Sequence, residues 1–311
     1  MLCVNPRNPQ LVSPSAWKLL IERKPLQVEK GTLAFSDSQM YTWQIMVLAT
    51  PSDTVCQKKL ALVIPCFNES KRLDLPTYSA FITNHPSITF CFVNDGSSDD
   101  TLQRVTDFAA HHKPDRVRIV SLEKNQGKAE AVRQGVRAML SDASLHFDTV
   151  GFWDSDLATP LSELEGFSQA LAQNNAVQAV VGFRKKEADA KIQRSFSRKI
   201  ISTIMHTIIR HYIGLPIHDT QCGAKMFTSS LAAKIFETPF IARWIFDIEI
   251  FLRIKHFLGP DSLLNNVEQL HLKAWHDVPG TKLRVRDGYK IFLELFRIKS
   301  HYRIWADQNT R

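Results

Sequence analysis

The chain alternates short, continuous apolar runs with longer stretches in which apolar residues recur every three or four positions. Leu60-Ala61-Leu62-Val63-Ile64 is the first such run, followed by a turn and a helical stretch, and Ile88-Thr89-Phe90-Cys91-Phe92-Val93 is the second. Further runs come at 117–120, 149–152 and 177–182, with helical periodicity over 101–112, 128–141 and 161–173 between them. Unbroken apolar strands are buried on both faces, as in a parallel sheet, and their alternation with helices predicts βαβ units. Ligands of such sheets sit at the carboxyl ends of the strands. Past residue 183 the alternation weakens. Phe196, Ile200, Ile204 and Ile208 share one face of a long helix expected over about 192–212, and a second basic amphipathic stretch spans 287–305. Residues 1–55, with Pro6, Pro9, Pro14, Pro25 and Pro51, show little periodicity and are read as an N-terminal extension.

With 311 residues, the chain can form one large α/β domain with appendages. Its 44% hydrophobic and 23% charged content is that of a globular protein. The five cysteines are scattered and odd in number, which points to reduced thiols instead of a disulfide framework. No run reaches the roughly 18–20 apolar residues of a membrane span, and the N-terminus lacks the pattern of a secretory signal. The expectation is a cytoplasmic protein with an anionic partner, given a net charge of +8. No basic-aromatic motif of a nucleic-acid module accompanies that charge, so no nucleic acid is expected.

The polar motifs fall at strand ends. The first strand closes in Pro65-Cys66-Phe67-Asn68-Glu69, and the second in Asn94-Asp95-Gly96-Ser97-Ser98-Asp99-Asp100-Thr101. The second segment offers an acid, a glycine for close backbone approach, and capping residues for a helix whose N-terminus can face a diphosphate. Read alone it is more often an ordinary turn and cap. Asn125-x-Gly127-Lys128 follows, then Trp153-Asp154-Ser155-Asp156, where a strand breaks into a turn and two carboxylates can reach one cation. An isolated Asp-x-Asp is most often a solvated turn. Its place in this ordered series makes it informative.

That order resembles family 2 glycosyltransferases with the GT-A fold, from about residue 60 to 282. Arg198-Lys199-Ile200-Ile201-Ser202, the stretch Asp219-Thr220-Gln221-Cys222-Gly223-Ala224-Lys225-Met226-Phe227, and Trp244-Ile245-Phe246-Asp247-Ile248-Glu249 narrow it to the polyprenyl-phosphate sugar transferases. These include the dolichyl-phosphate mannose and glucose synthases. Trp275-His276-Asp277-Val278-Pro279-Gly280-Thr281-Lys282 fits the glucose-type branch. The resemblance implies a GT-A nucleotide-diphospho-sugar transferase fold of the α/β class, with a mostly parallel central sheet flanked by helices. Residues 56–282 would form it, with 1–55 as an extension and 283–311 as a basic amphipathic tail.

The implied activity is an inverting transfer of a hexose from UDP-glucose or GDP-mannose to a polyprenyl or dolichyl phosphate, with Mg2+ or Mn2+. Asp154 and Asp156 would hold the metal, and Asp95 the base or ribose, with Pro65, Phe67, Glu69, Lys128 and Gln221 around the donor. Arg198 and Ser202, four residues apart on one helix face, and Arg184 match acceptor-phosphate binding; a solvated basic face is the plainer reading of them. Asp247 would be the base for a hydroxyl acceptor, or would position Lys282 for a phosphate acceptor, which needs little base. A structural ion pair is its plainer reading. Asp156, Asp247, Arg198 and Lys282 form the expected catalytic set.

The chain departs from the family in two ways. Ala158 stands where one branch has Gln, and the membrane-bound relatives carry spans at one end. Peripheral membrane contact through the 192–212 helix and the tail is the expectation, the tail holding seven Lys/Arg from Lys282 to Arg303 against Asp287 and Glu294. Two other functions fit the same residues: transfer to a soluble sugar or protein hydroxyl, and a catalytically silent nucleotide-binding module.

Overall fold

A computed structural model describes residues 27–34, 40–47, 58–142, 144–184, 216–243, 245–276 and 293–302, the first two segments as backbone. The expected 192–212 helix, with Arg198 and Ser202, and Trp244 and Lys282 lie outside the described residues. The chain divides into two units, 1–54 and 55–311. In the first, β1 (Gln27–Ala34) pairs antiparallel with β2 (Met40–Val47), in register from Gln27 opposite Val47 to Ala34 opposite Met40.

The second unit is built on a seven-stranded sheet. Its elements in chain order are β3 (Leu60–Cys66), α1 (Leu75–Asn84), β4 (Ile88–Asp95), α2 (Thr101–Ala110), β5 (Val117–Leu122), α3 (Lys128–Ser141) and β6 (Thr149–Trp153). A 3-10 turn (Leu161–Glu163), α4 (Leu164–Gln173), β7 (Ala179–Phe183), β8 (Ala224–Thr228), α5 (Ser229–Ile235), α6 (Phe246–Leu258), α7 (Ser262–Asn265) and β9 (Val267–His271) follow. Residues 293–302 are helical. The strand order is β5-β4-β3-β6-β8-β7-β9. The pairs β3–β4, β4–β5, β3–β6 and β7–β9 are parallel, and β8 is antiparallel to both its neighbours, β6 and β7. The mostly parallel sheet expected from the sequence is present, with one reversed strand wedged into its middle.

Strand alternation builds two cores. Ala61, Val63, Cys91 and Val93 face a layer with Val132, Val136, Ile248 and Phe251, while Leu62, Ile64, Phe90 and Phe92 face Tyr78, Val105 and Phe167 on the other side. Both faces are covered, which is why these strands read as unbroken apolar runs. Cys66, Cys91 and Cys222 are free and buried. Helix α3 crosses β3 and β4 so closely that a Cβ on Gly135 would lie 2.4 Å from Val63 Cγ1 and 2.7 Å from Val93 Cγ2. That proximity brings the start of α3, Lys128, to the carboxyl edge of the sheet.

Gly135→Ala tests this packing. Alanine would favour the helix intrinsically by about 1 kcal/mol, but two valine methyls must move, and overpacking typically costs about 1–3 kcal/mol. A net loss of stability is expected in chemical denaturation, and a variant more stable than the parent would contradict so close a contact.

Candidate active site

Six parallel strands, β3, β4, β5, β6, β7 and β9, end at one edge of the sheet, and β8 begins there. At the end of β4, the Asp95 carboxylate is 2% exposed and accepts from Gln126 N (2.7 Å), Gly127 N (2.9 Å) and Asn125 Nδ2 (3.0 Å). Gly96 has φ +60°, and a Cβ there would lie 2.4 Å from the Lys124 carbonyl carbon. Gly127, at φ +96°, starts α3. A glycine is needed at both places. Asp95 thus spends both oxygens on the Asn-x-Gly loop, holding the N-terminus of α3 at the sheet edge.

The loops after β3 and β4 are stitched together. Asn68 N–H donates to Ser97 Oγ (3.0 Å) and Ser98 N–H to Asn68 Oδ1 (2.8 Å), while Glu69 N–H donates to Thr101 Oγ1 (2.8 Å). Asn68 adopts φ 53°, a conformation asparagine tolerates. Glu69 is buried, with Arg72 against its carboxylate at 2.5 Å. Pro65 lies within β3 opposite Val93, and Phe67 is half-buried just beyond it. These residues frame the sheet edge beside Asp95.

The Asp-x-Asp turn is fixed from several directions. Asp154 N–H donates to Gly223 O (3.1 Å), Leu157 N–H to Asp154 O (3.3 Å) and Ala158 N–H to Asp156 Oδ1 (3.1 Å). Trp153 Nε1 donates to Thr159 O (2.7 Å), and His276 N–H to Ala158 O (2.8 Å). Leu157 has φ 52°, a strained conformation for a side chain of that size. The turn therefore persists because its surroundings over-determine it. Asp154 Oδ1 meets Lys128 Nζ at 2.5 Å, and the ammonium also lies 5.9 Å from the centre of the Phe152 ring. Burial would depress the Lys128 pKa, but Asp154, aided by Asp247 and Asp156, outweighs it and holds the ammonium above its ordinary value.

Two partly exposed carboxylates are hard oxygen donors suited to Mg2+ or Mn2+. No group of three or more His, Cys, Asp or Glu gathers among the described residues, so diphosphate oxygens and water would complete such a shell. The residues present fit a substrate-bridged divalent ion, not a closed all-protein site.

On the other flank, Arg184 follows β7 and bonds Asp219 through two nitrogens (2.6 and 3.1 Å), with its guanidinium 5.2 Å from the Trp275 ring centre. Burial would raise the Asp219 pKa, but the Arg184 contact prevails and holds it below the usual carboxylate value. Gln221 N–H also donates to Asp219 (3.2 Å), placing Gln221 in this same loop. Buried Glu163 accepts from the main chains of Lys273 and Ala274 (both 3.1 Å), tying the segment that carries Trp275 to the turn after Asp156.

Asp247 is buried, and its Oδ1 accepts from Lys225 Nζ at 2.5 Å. Lys225 has no solvent exposure, also donates to Cys222 O (2.6 Å), and sits 5.3 Å from the Phe152 ring centre. Glu249 pairs with Arg253 (2.8 Å) and accepts from Ile241 and Ala242 N–H. Burial pushes the Cys222 thiol up to about 11, so it is a neutral thiol at physiological pH. Read from the sequence, Lys225 and Glu163 have no role, Asn125 is only part of its motif and Gly223 only part of a tight loop. Only Lys225 left a clear signal, as a lone charge inside the apolar strand Ala224-Lys225-Met226-Phe227.

The model of the family Glycosyl transferase family 2 matches residues 61–236. The chain belongs to that family. It is a glycosyltransferase. The human dolichyl-phosphate beta-glucosyltransferase is 28% identical over 239 residues, covering 73% of this chain and 70% of the relative. Its namesake from Saccharomyces cerevisiae is 30% identical over 258 residues, covering 78% and 75%. Among solved structures, glucosyl-3-phosphoglycerate synthase from Mycobacterium tuberculosis with UDP superposes with a TM-score of 0.56 at 18% identity, over 80% of this chain and 82% of that one. The same protein has been crystallised with Mn2+ and UDP-glucose. This likeness shows the GT-A fold of the family 2 transferase.

Gly223→Ala isolates the role of the close contact. A Cβ there would fall 1.8 Å from Asp154 Oδ2, so the carboxylate must swing away. Misplacement of a reacting group by about 1 Å can cost about 10²-fold in rate. Transferase kcat/KM should fall by that order while circular dichroism stays that of the parent; full activity in the variant would show that Asp154 need not hold this position.

Proposed function

We propose that this transferase moves glucose from UDP-glucose to a polyprenyl phosphate of the dolichyl type, with inversion at the sugar carbon and with Mg2+ or Mn2+. The observation that carries the reading is the Asp154/Asp156 turn at the sheet edge, in a chain whose named relatives are dolichyl-phosphate beta-glucosyltransferases over most of its length. Those names, and the UDP-bound neighbour, favour UDP-glucose over GDP-mannose as donor. Residues 56–282 form the transferase domain in this reading, with 1–55 and 283–311 as appendages.

Asp154 and Asp156 would hold the divalent ion, which neutralises charge on the departing diphosphate. Asp95 acts on the donor through the loop it holds, presenting Lys128 and the N-terminus of α3 to the diphosphate. Pro65, Phe67, Glu69 and Gln221 shape the cleft. On the opposite flank Arg184, steadied by Asp219 and Trp275, offers a guanidinium for the acceptor phosphate; from the sequence, Arg198, Ser202 and Lys282 are proposed for the same phosphate. Asp247 is engaged by Lys225, which supports an acceptor that is already an anion and needs no base. Transfer to a soluble hydroxyl would ask Asp247 to give up that partner.

Incubation with each nucleotide sugar, Mn2+ and a short-chain polyprenyl phosphate should yield a glucolipid from UDP-glucose, with the β-anomer identified by proton coupling. Asp154→Asn or Asp156→Asn should lower kcat by about 10²–10³, several kcal/mol of lost charge stabilisation. Sugar transferred only to soluble acceptors would sink the lipid reading.

The same reading includes peripheral contact with the cytoplasmic face of a membrane. No helix among the described residues is long and apolar enough to cross one. The helix 293–302 packs Leu295 and Ile298 inward and presents Leu293 (51% exposed) and Phe296 (60% exposed) outward beside exposed Arg297. Apolar and basic side chains on one helix face suit an anionic lipid interface. Vesicles containing anionic lipid should float the protein, less so at high salt, and replacing Leu293 and Phe296 with serine should abolish flotation. Undiminished flotation of that variant would remove this surface from the proposal.

A further inference from the structure

Lys128 is placed where a metal's charge is expected to act. Its ammonium is 2.5 Å from Asp154 Oδ1, while Gly223 crowds the Oδ2 end of the same carboxylate. Its main chain cannot retreat, because Asp95 grips Gln126 and Gly127 immediately before it. Asp247, another acid whose charge acts on this ammonium, already has its Oδ1 on Lys225. An ammonium and a divalent ion on one carboxylate repel each other strongly at this range.

We infer that Lys128 is the resident counter-ion of Asp154 in the donor-free enzyme, and that it makes binding of the divalent ion conditional on a nucleoside diphosphate. Diphosphate oxygens give the ammonium a new anionic partner, which frees Asp154 for the metal. Metal and donor then bind with positive coupling, each strengthening the other by the same factor. The inference rests on the reading that Asp154 and Asp156 hold the divalent ion, and it gives Lys128 an effect opposite in sign to that of a simple binding residue. Removing a residue that merely supports the site weakens metal binding. Removing a competitor strengthens it.

Mn2+ binding to the purified full chain, followed by the electron paramagnetic resonance of the free ion, tests this with and without UDP, after correction for Mn2+ held by UDP itself. The parent should bind Mn2+ weakly alone and at least about tenfold more tightly with UDP, within the usual range of coupling. Lys128→Met should bind Mn2+ about tenfold more tightly than the parent without UDP, and UDP should strengthen that binding by a smaller factor than in the parent. Lys128→Gln provides the same test should the methionine variant not fold, and Lys128→Arg, keeping the charge, should resemble the parent. Equal or weaker Mn2+ binding by the neutral variants without UDP, undetectable binding included, overturns the inference. Asp154→Asn separates the two readings: if it leaves Mn2+ binding with UDP unchanged, the metal assignment itself has failed.

Discussion

Everything at the carboxyl edge of the sheet depends on how closely β8 approaches β6. The two strands run antiparallel, with Trp153 opposite Ala224, so the residue after one and the residue before the other meet at the same height. Those residues are Asp154 and Gly223, joined by a main-chain hydrogen bond and packed with no room for a side chain at 223. A reversed strand in an otherwise parallel sheet therefore has a specific consequence. It brings the start of β8, with the 219–223 loop that partners Arg184, to the edge where β6 delivers its acids. A parallel strand in that place would bring its carboxyl end there instead.

Beneath this contact the protein buries charge, which is costly unless each ion is paired and hydrogen-bonded. Lys225 and Asp247 satisfy each other, and the remaining capacity of the ammonium goes to the carbonyl of Cys222, one residue before Gly223. Two apolar side chains at those positions could pack as well, but they would not tie the 222–225 segment to α6. Arg253 and Glu249, one turn along α6, do the same for 235–242: the guanidinium donates to Ile235, Thr238 and Pro239 carbonyls while the carboxylate accepts from Ile241 and Ala242. The acids of the Phe246-Asp247-Ile248-Glu249 stretch thus act as fasteners for loops.

Legibility in the sequence follows burial. Strands β3 and β4 are covered on both faces, and their unbroken apolar runs could be read directly. The run at 88–93 extends in fact through Asn94 and Asp95, because polar residues at a strand's end still pair with β5. Strand β9, at the edge of the sheet, has the composition Val-Glu-Gln-Leu-His and gave no apolar signal. The hairpin of β1 and β2 was hidden among prolines, although Tyr41, Trp43, Ile45 and Val47 alternate with Thr42 and Gln44 at the period of a strand. At the site, the Asp-x-Asp pair and the Asn-x-Gly-Lys loop were legible as motifs. What the motifs did not contain was pairing: that Asp95 is spent on residues 125–127, or that Lys128 sits on Asp154, is decided by contacts across about 30 residues of sequence.

The arrangement of charge gives the site a direction. Lys128 and the start of α3 lie on one side of Asp154, while Arg184 and Trp275 lie toward the other flank with the 219–223 loop that carries Asp219. Each cation is held by a carboxylate of its own, Lys128 by Asp154 and Arg184 by Asp219. The two pairs differ in one respect that matters. Asp219 is buried and bonded to a neighbouring main-chain amide, so it stays with Arg184 and only orients it. Asp154 is more than a third exposed at its side chain, so its partner can be exchanged. A site that must accept a diphosphate and release it needs a replaceable ion pair on the leaving side. One that must aim an incoming phosphate is better served by a fixed pair. In the proposed reaction, the burial of the two aspartates would separate those roles before any ligand arrives.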